Sequence, residues 1–155
     1  MNENLYEIDP NKFETEIFCT FQDARSLKTY IYKPKNWSAL NKQKSMIFFH
    51  GGGFKIGSPE RFYPQALHFA CKGYVVFVPE YRIESKDGTG AFEATKDAHY
   101  FFEWVIKNSN KFKINQKRII LGGGSAGGQL AASIANISLN KNKNLPKPIA
   151  LILYN

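Results

Sequence analysis

Apolar residues in this chain come in short runs divided by polar or glycine-rich breaks. Ser45-Met46-Ile47-Phe48-Phe49, Tyr74-Val75-Val76-Phe77-Val78 and Ile119-Ile120-Leu121 are continuous runs. Each is the size of a parallel strand covered on both faces. Pro148-Ile149-Ala150-Leu151-Ile152-Leu153-Tyr154 reads as one more buried strand. Earlier segments alternate instead. Residues 13–21 alternate imperfectly, as an edge strand does. From Ser26 to Lys33, Leu27, Thr29 and Ile31 share one face and Tyr30 and Tyr32 the other. Gln22-Asp23-Ala24-Arg25 between them predicts a hairpin turn, giving an antiparallel start to the sheet.

Helical spacing fills the gaps. Tyr63, Leu67, Ala70 and Cys71 recur on one helix face, with Pro64 near its start and Gly73 past its end. Ala94, Ala98, Phe101, Phe102 and Val105 mark a long second helix, and Leu130, Ile134 and Ile137 a third. Residues 34–44 and 84–90 read as loops. Two antiparallel strands followed by repeated strand–helix units predict an α/β fold with a mostly parallel sheet. At 155 residues the chain is one domain's worth.

Two of the breaks carry chemistry. Arg118 to Leu121 leads into Gly122-Gly123-Gly124-Ser125-Ala126-Gly127-Gly128, then a small-residue helix. Gly123-x-Ser125-x-Gly127 fits a nucleophile elbow, a sharp strand-to-helix turn that lifts a serine hydroxyl above the sheet edge. The new helix aims its first N–H groups at the reacting oxygen. A phosphate-cradling glycine loop is the plainer alternative. His50-Gly51-Gly52-Gly53 follows the third predicted strand, where bare backbone N–H groups can approach a tetrahedral intermediate. Ser125 is thus the candidate nucleophile, with the N–H groups of Gly52, Gly53 and Ala126 as oxyanion donors.

With these two motifs the sequence resembles the α/β-hydrolase esterases, in particular the HGGG-loop branch that includes the hormone-sensitive-lipase-like enzymes. Two positions differ from the lipase-like pattern. Gly124 stands where those enzymes carry Asp before the nucleophile, and Tyr81-Arg82-Ile83-Glu84-Ser85-Lys86 replaces Tyr-Arg-Leu-Ala-Pro-Glu. Gly57-Ser58-Pro59, Phe62-Tyr63-Pro64-Gln65, Glu80-Tyr81-Arg82 and Gly123 to Gly128 look more like bacterial carbohydrate acetyl and feruloyl esterases. The resemblance covers about residues 13 to 155. It implies an α/β-hydrolase fold, mostly parallel with antiparallel N-terminal strands, ending after about the sixth strand. It also implies hydrolysis of short acyl esters, with acetyl groups on carbohydrate as one substrate class, and no cofactor or metal. In this fold the acid and base follow the serine along the chain, whereas His50, His68 and His99 all precede Ser125. The expectation is therefore a single incomplete domain, the N-terminal portion of an esterase, nearly inactive alone. Rival readings are a serine peptidase of the same fold and a catalytically inactive fragment serving as a binding domain.

The remaining residues read as structure. Glu80 and Arg82 are expected to form scaffolding that tethers the loop after the fourth strand to Asp97. Cys71 reads as a core thiol, and with Cys19 makes neither a disulfide framework nor a metal site. The net charge is +8, but the lysines are scattered along the chain and several adjoin asparagines, as in Lys141-Asn142-Lys143-Asn144. They read as solvated loops, so no nucleic-acid partner is expected. No apolar run reaches the ~20 residues of a membrane span. The polar N-terminus lacks a signal-peptide core, which places the chain in the cytoplasm as written, or outside it if a signal has been removed. The final strand, left as an open edge, is expected to favour self-association.

Overall fold

The computed structural model describes residues 14–19, 26–34, 37 and 42–155. Six strands form one sheet: β1 (Glu14–Cys19), β2 (Ser26–Tyr32), β3 (Gln43–Phe49), β4 (Tyr74–Pro79), β5 (Ile114–Gly124) and β6 (Ala150–Tyr154). They lie in the order β1-β2-β4-β3-β5-β6. β1 pairs with β2, and β2 with β4, antiparallel, while β4, β3, β5 and β6 run parallel. Four helices connect them: α1 (Tyr63–Cys71), α2 (Glu84–Asp87), α3 (Ala91–Lys107) and α4 (Ala126–Ile137). The turn expected at Gln22–Arg25 lies outside the described residues. The α/β architecture read from the chain is the one observed.

The pleat of β3 divides the core in two. Ile47 and Phe49 face α3 and α4, joining Phe77, Phe101, Phe102, Leu130 and Ile134, while Met46 and Phe48 face the layer of α1 with Phe62, Ala66 and Ala70. Phe48 stacks on Phe62 at 5.1 Å between ring centroids, and Phe77 meets Phe112 edge-on at the same distance. On β3 itself Phe49 meets Phe101 edge-on at 6.5 Å, so aromatic contacts hold both layers to the strand that leads into His50.

Three local expectations need correction. Cys71 is exposed, because α1 turns Ala66 and Ala70 to the sheet and the last residue of its final turn outward. Residues 84–87 form a single helical turn closed by Gly88 in the left-handed region, where a loop was expected. β6 is a strand but not a buried one: Leu151, Leu153 and Tyr154 are exposed, since β5 covers one edge and no described strand covers the other. No described helix is long and apolar enough to cross a membrane.

Candidate active site

Parallel pairing of β3 with β5 sets Phe49 opposite Gly123. Both strands therefore end at one point, and the loop leaving β3 lies beside the turn leaving β5. Ser125 makes that turn with φ 48° and ψ −113°, a strained conformation for a residue with a side chain. Its own N–H donates to Tyr154 O at 2.9 Å, its carbonyl accepts from Gln129 N–H at 3.1 Å, and its side chain makes no capping bond. The hydroxyl is left at the head of α4, on an exposed residue.

Close approach explains the flanking glycines. A Cβ on Gly123 would lie 2.3 Å from the Gly127 carbonyl carbon, and one on Gly127 only 2.0 Å from Phe49 O. Neither contact is tolerable, so the sharp strand-to-helix turn requires both residues to be bare. At Gly124, the position of the lipase-like Asp, a Cβ would meet nothing closer than 3.9 Å. Nothing in the packing demands glycine there.

The loop of His50 to Gly53 closes against the same point. A Cβ on Gly51 would be 2.8 Å from Gly124 O and 3.6 Å from Ser125 Cβ. Gly52 has φ +128° and Gly53 φ +63°. The N–H groups of Lys55 and Ile56 both donate to Gly52 O, folding the loop back on itself. The N–H groups of Gly52, Gly53 and Ala126 donate to no acceptor among the described residues. Ala126 is buried and opens α4, so its N–H is one of the first-turn groups that no carbonyl of the helix can take.

His50 holds this loop and does not face the serine. Its Nδ1 lies 2.9 Å from Gly51 O, which can only accept, so Nδ1 carries the proton. Tyr81 stacks on the imidazole at 4.2 Å and donates its hydroxyl to His50 O at 2.6 Å. Burial, helped by the charges of Arg61 and Lys86, pulls the His50 pKa down despite the bond to Gly51. Its contacts are those of a structural imidazole that fixes the loop. The sequence carries no signal of this role for Tyr81, since an aromatic residue two positions past a strand-closing proline does not announce that it will pack on a distant histidine.

The other histidines also point elsewhere. His99 Nε2 is 2.7 Å from Ser133 Oγ, a bond between α3 and α4, and burial lowers its pKa. His68 packs edge-on to Phe69. No histidine of the chain hydrogen-bonds Ser125. Arg82 and Asp97 form the expected buried tether: Nη2–Oδ1 is 2.7 Å, Nε–Oδ2 2.9 Å, and the Arg82 N–H reaches the same carboxylate at 2.9 Å. Glu80 takes a different partner, accepting from the Lys28 N–H at 3.0 Å. Among the described residues no group of His, Cys, Asp and Glu is arranged to hold a metal ion.

Comparison with known proteins agrees with this geometry. The BD-FAE family profile matches residues 30–150. Lipase 2 of Moraxella sp. (strain TA144) is 36% identical over 95 residues, covering 60% of this chain and 21% of that protein. Ethyl acetate hydrolase of Pseudomonas putida is 24% identical over 142 residues, covering 90% of this chain and 44% of that protein. The structure of Thermogutta terrifontis esterase 2 phosphorylated by paraoxon superposes with a TM-score of 0.82 at 30% identity, over 97% of this chain and 59% of that one. The chain spans less than half the length of these two curated relatives. With an α/β-hydrolase fold and the family match running across most of its length, the chain belongs to the BD-FAE family.

Proposed function

We propose that this chain carries the nucleophile and the oxyanion hole of a serine carboxylic-ester hydrolase. Ser125 Oγ attacks the ester carbonyl carbon. The electron pair that moves onto the carbonyl oxygen is held by the N–H groups of Gly52, Gly53 and Ala126, each such donor being worth roughly 3 kcal/mol of barrier. Collapse expels the alcohol with a proton and leaves an acyl group on Ser125, which water then removes as the acid. No metal or cofactor takes part in this scheme. The carrying observation is the strained Ser125 at the head of α4 beside a glycine loop with idle donors.

Short acyl esters are the favoured substrates. One relative is an ethyl acetate hydrolase, and the esterase of Thermogutta terrifontis has structures with butyrate bound and with propionate bound. Acetyl groups on carbohydrate fit the same chemistry. The proposal takes residues 1–155 as part of a single domain, and takes the open edge of β6 to pair with a second copy of the chain.

Because no imidazole meets Ser125, its hydroxyl stays protonated and weakly nucleophilic. Loss of a triad member in related chemistry leaves roughly 10³–10⁴-fold acceleration over water, far below an intact enzyme. The test is labelling by a fluorophosphonate, read by mass spectrometry, with and without added imidazole. Slow modification confined to Ser125, hastened by imidazole and absent in Ser125→Ala, is expected, with little turnover of p-nitrophenyl acetate. Modification of another residue would remove Ser125 from its role. Rapid labelling without imidazole would mean that one of the three histidines serves as base.

A further inference from the structure

Lysines that look scattered along the sequence are gathered by the fold. Every parallel strand starts just after one: Lys42 precedes β3, Lys72 precedes β4, Lys113 precedes β5 and Lys147 precedes β6. Lys33 follows the end of antiparallel β2, and Lys107 closes α3. In this topology strand N-termini and helix C-termini share one edge of the sheet, so all of these lie on the edge opposite Ser125. Lys141 and Lys143, just past α4, join them. From residue 104 to 155 the chain contains no Asp or Glu. Glu60, Glu80, Glu84, Asp87 and Glu93 lie toward the other edge, in the connections leaving β3 and β4, while Glu103 near the end of α3 and Glu14 at the start of β1 lie on the lysine edge, where the lysines outnumber them. Helix dipoles account for cations after α1, α3 and α4. They do not account for Lys33, Lys42, Lys113 or Lys147, which flank strands.

The same edge carries apolar groups. Trp37 is half-buried, with Lys33 Nζ 3.8 Å and Lys113 Nζ 4.4 Å from its ring centroid, and its Nε1 donates to Phe112 O at 3.2 Å. Leu139, beyond α4, is 61% exposed, and Ile149, ahead of β6, is 55% exposed. Ammonium groups beside an indole and bare aliphatic side chains suit the boundary between anionic headgroups and acyl chains. Aliphatic side chains have no such use on a phosphodiester backbone.

We infer that the strand-start edge of this chain is a docking surface for a lipid bilayer bearing anionic headgroups, which holds Ser125 facing away from the membrane. The binding is peripheral and reversible, and it is independent of ester hydrolysis. Each lysine near an anionic bilayer contributes about a fivefold gain in partitioning, and salt screens that gain.

The test is co-sedimentation of the chain with phosphatidylcholine vesicles, with and without phosphatidylglycerol, across a salt series and against a lipid-free control. Binding should need phosphatidylglycerol and fall with salt. Lys141→Glu/Lys143→Glu/Lys147→Glu should weaken it about a hundredfold or more. Lys55→Glu/Arg61→Glu/Lys86→Glu makes the same change in net charge on the Ser125 side and should stay within a few fold of the parent. Circular dichroism confirms that each variant folds, and Lys→Gln replacements at 141, 143 and 147 serve if the glutamates unfold the chain. Equal binding to neutral vesicles, equal losses in the two triple variants, or tighter binding to duplex DNA than to phosphatidylglycerol vesicles at the same salt would each overturn the inference.

Discussion

β5 and β6 lie side by side and parallel, in register from Ile120 opposite Ala150 to Gly124 opposite Tyr154, yet they differ in almost everything else. Leu121 is fully buried, whereas its neighbour Leu151 is 41% exposed. By composition β6, Ala-Leu-Ile-Leu-Tyr, is the more apolar strand, while β5 ends in three glycines. Apolar content therefore tells that a segment is a strand and not where it sits. Burial follows from having neighbours on both sides, and β5 has β3 and β6 while β6 has β5 alone among the described strands. The glycines of β5 record how closely other backbone approaches them. That makes the end of β5 intolerant of change and β6 permissive.

The intolerant side is tested hardest at Asp97 and Gly127. Asp97 is wholly buried and accepts from both the side chain and the N–H of Arg82. Asp97→Ala leaves a guanidinium that is 7% exposed without its counter-charge, and should cost about 3–5 kcal/mol. Urea denaturation measures this, and a loss no larger than a surface substitution gives would show that the pair is not holding the loop after β4. Gly127→Ala is next. Its new methyl group would sit 2.0 Å from Phe49 O and 2.5 Å from His50 O, both backbone atoms that cannot swing aside. Overpacking of this kind should cost about 3 kcal/mol or more. An alanine variant as stable as the parent would mean that α4 is free to shift, and that the elbow is looser than its contacts indicate.

How much of this was legible depends on whether the constraint is local. Ser125 and its glycines could be read because a strained turn restricts its own residues and their near neighbours in sequence. The glycines at 51–53 could be read for the same reason, as could the alternation that puts Leu27 and Ile31 inside. Arg82 with Asp97 was half legible: the tether was right, but Glu80 had an equal claim and went to the Lys28 backbone. Tyr81 on His50, the outward turn of Cys71 and the exposure of β6 depend on elements brought together from far apart in the chain. So does the lysine edge. Sequence order separates Lys33 from Lys113 by about half of the chain, and only the crossover topology puts both on the face of Trp37.

Strain offers a finer test of the elbow. Ser125 holds φ 48° and ψ −113°, where a side chain costs about 1–3 kcal/mol. Glycine relieves that strain but loses about 0.5–1 kcal/mol more through backbone entropy. Ser125→Gly should therefore stabilise the chain by about 1 kcal/mol, raising Tm by roughly 2–4 °C, while abolishing fluorophosphonate labelling. Ser125→Ala removes the hydroxyl and keeps the strain, so its Tm should stay near the parent's. If glycine stabilised no more than alanine, the turn would not be storing strain at all.

The smallest effect on stability belongs to β6. Leu151 is 41% exposed, so lysine there can run its methylenes along the surface and keep its ammonium in water. Leu151→Lys should change unfolding free energy by no more than about 0.5 kcal/mol. Its consequence for association should be larger. β6 presents an apolar, uncharged edge, with Leu153 and Tyr154 also exposed, and such an edge is a template for another strand unless a charge opposes it. In an antiparallel pairing of two copies, the lysines would be brought toward each other along a shared ladder. Sedimentation velocity over a concentration series should show the parent associating as concentration rises and the Leu151→Lys chain remaining at lower mass. If the two sediment alike at every concentration, β6 is not the surface through which copies meet. If the variant unfolds, β6 is held as firmly as β5, and the contrast between the two strands fails.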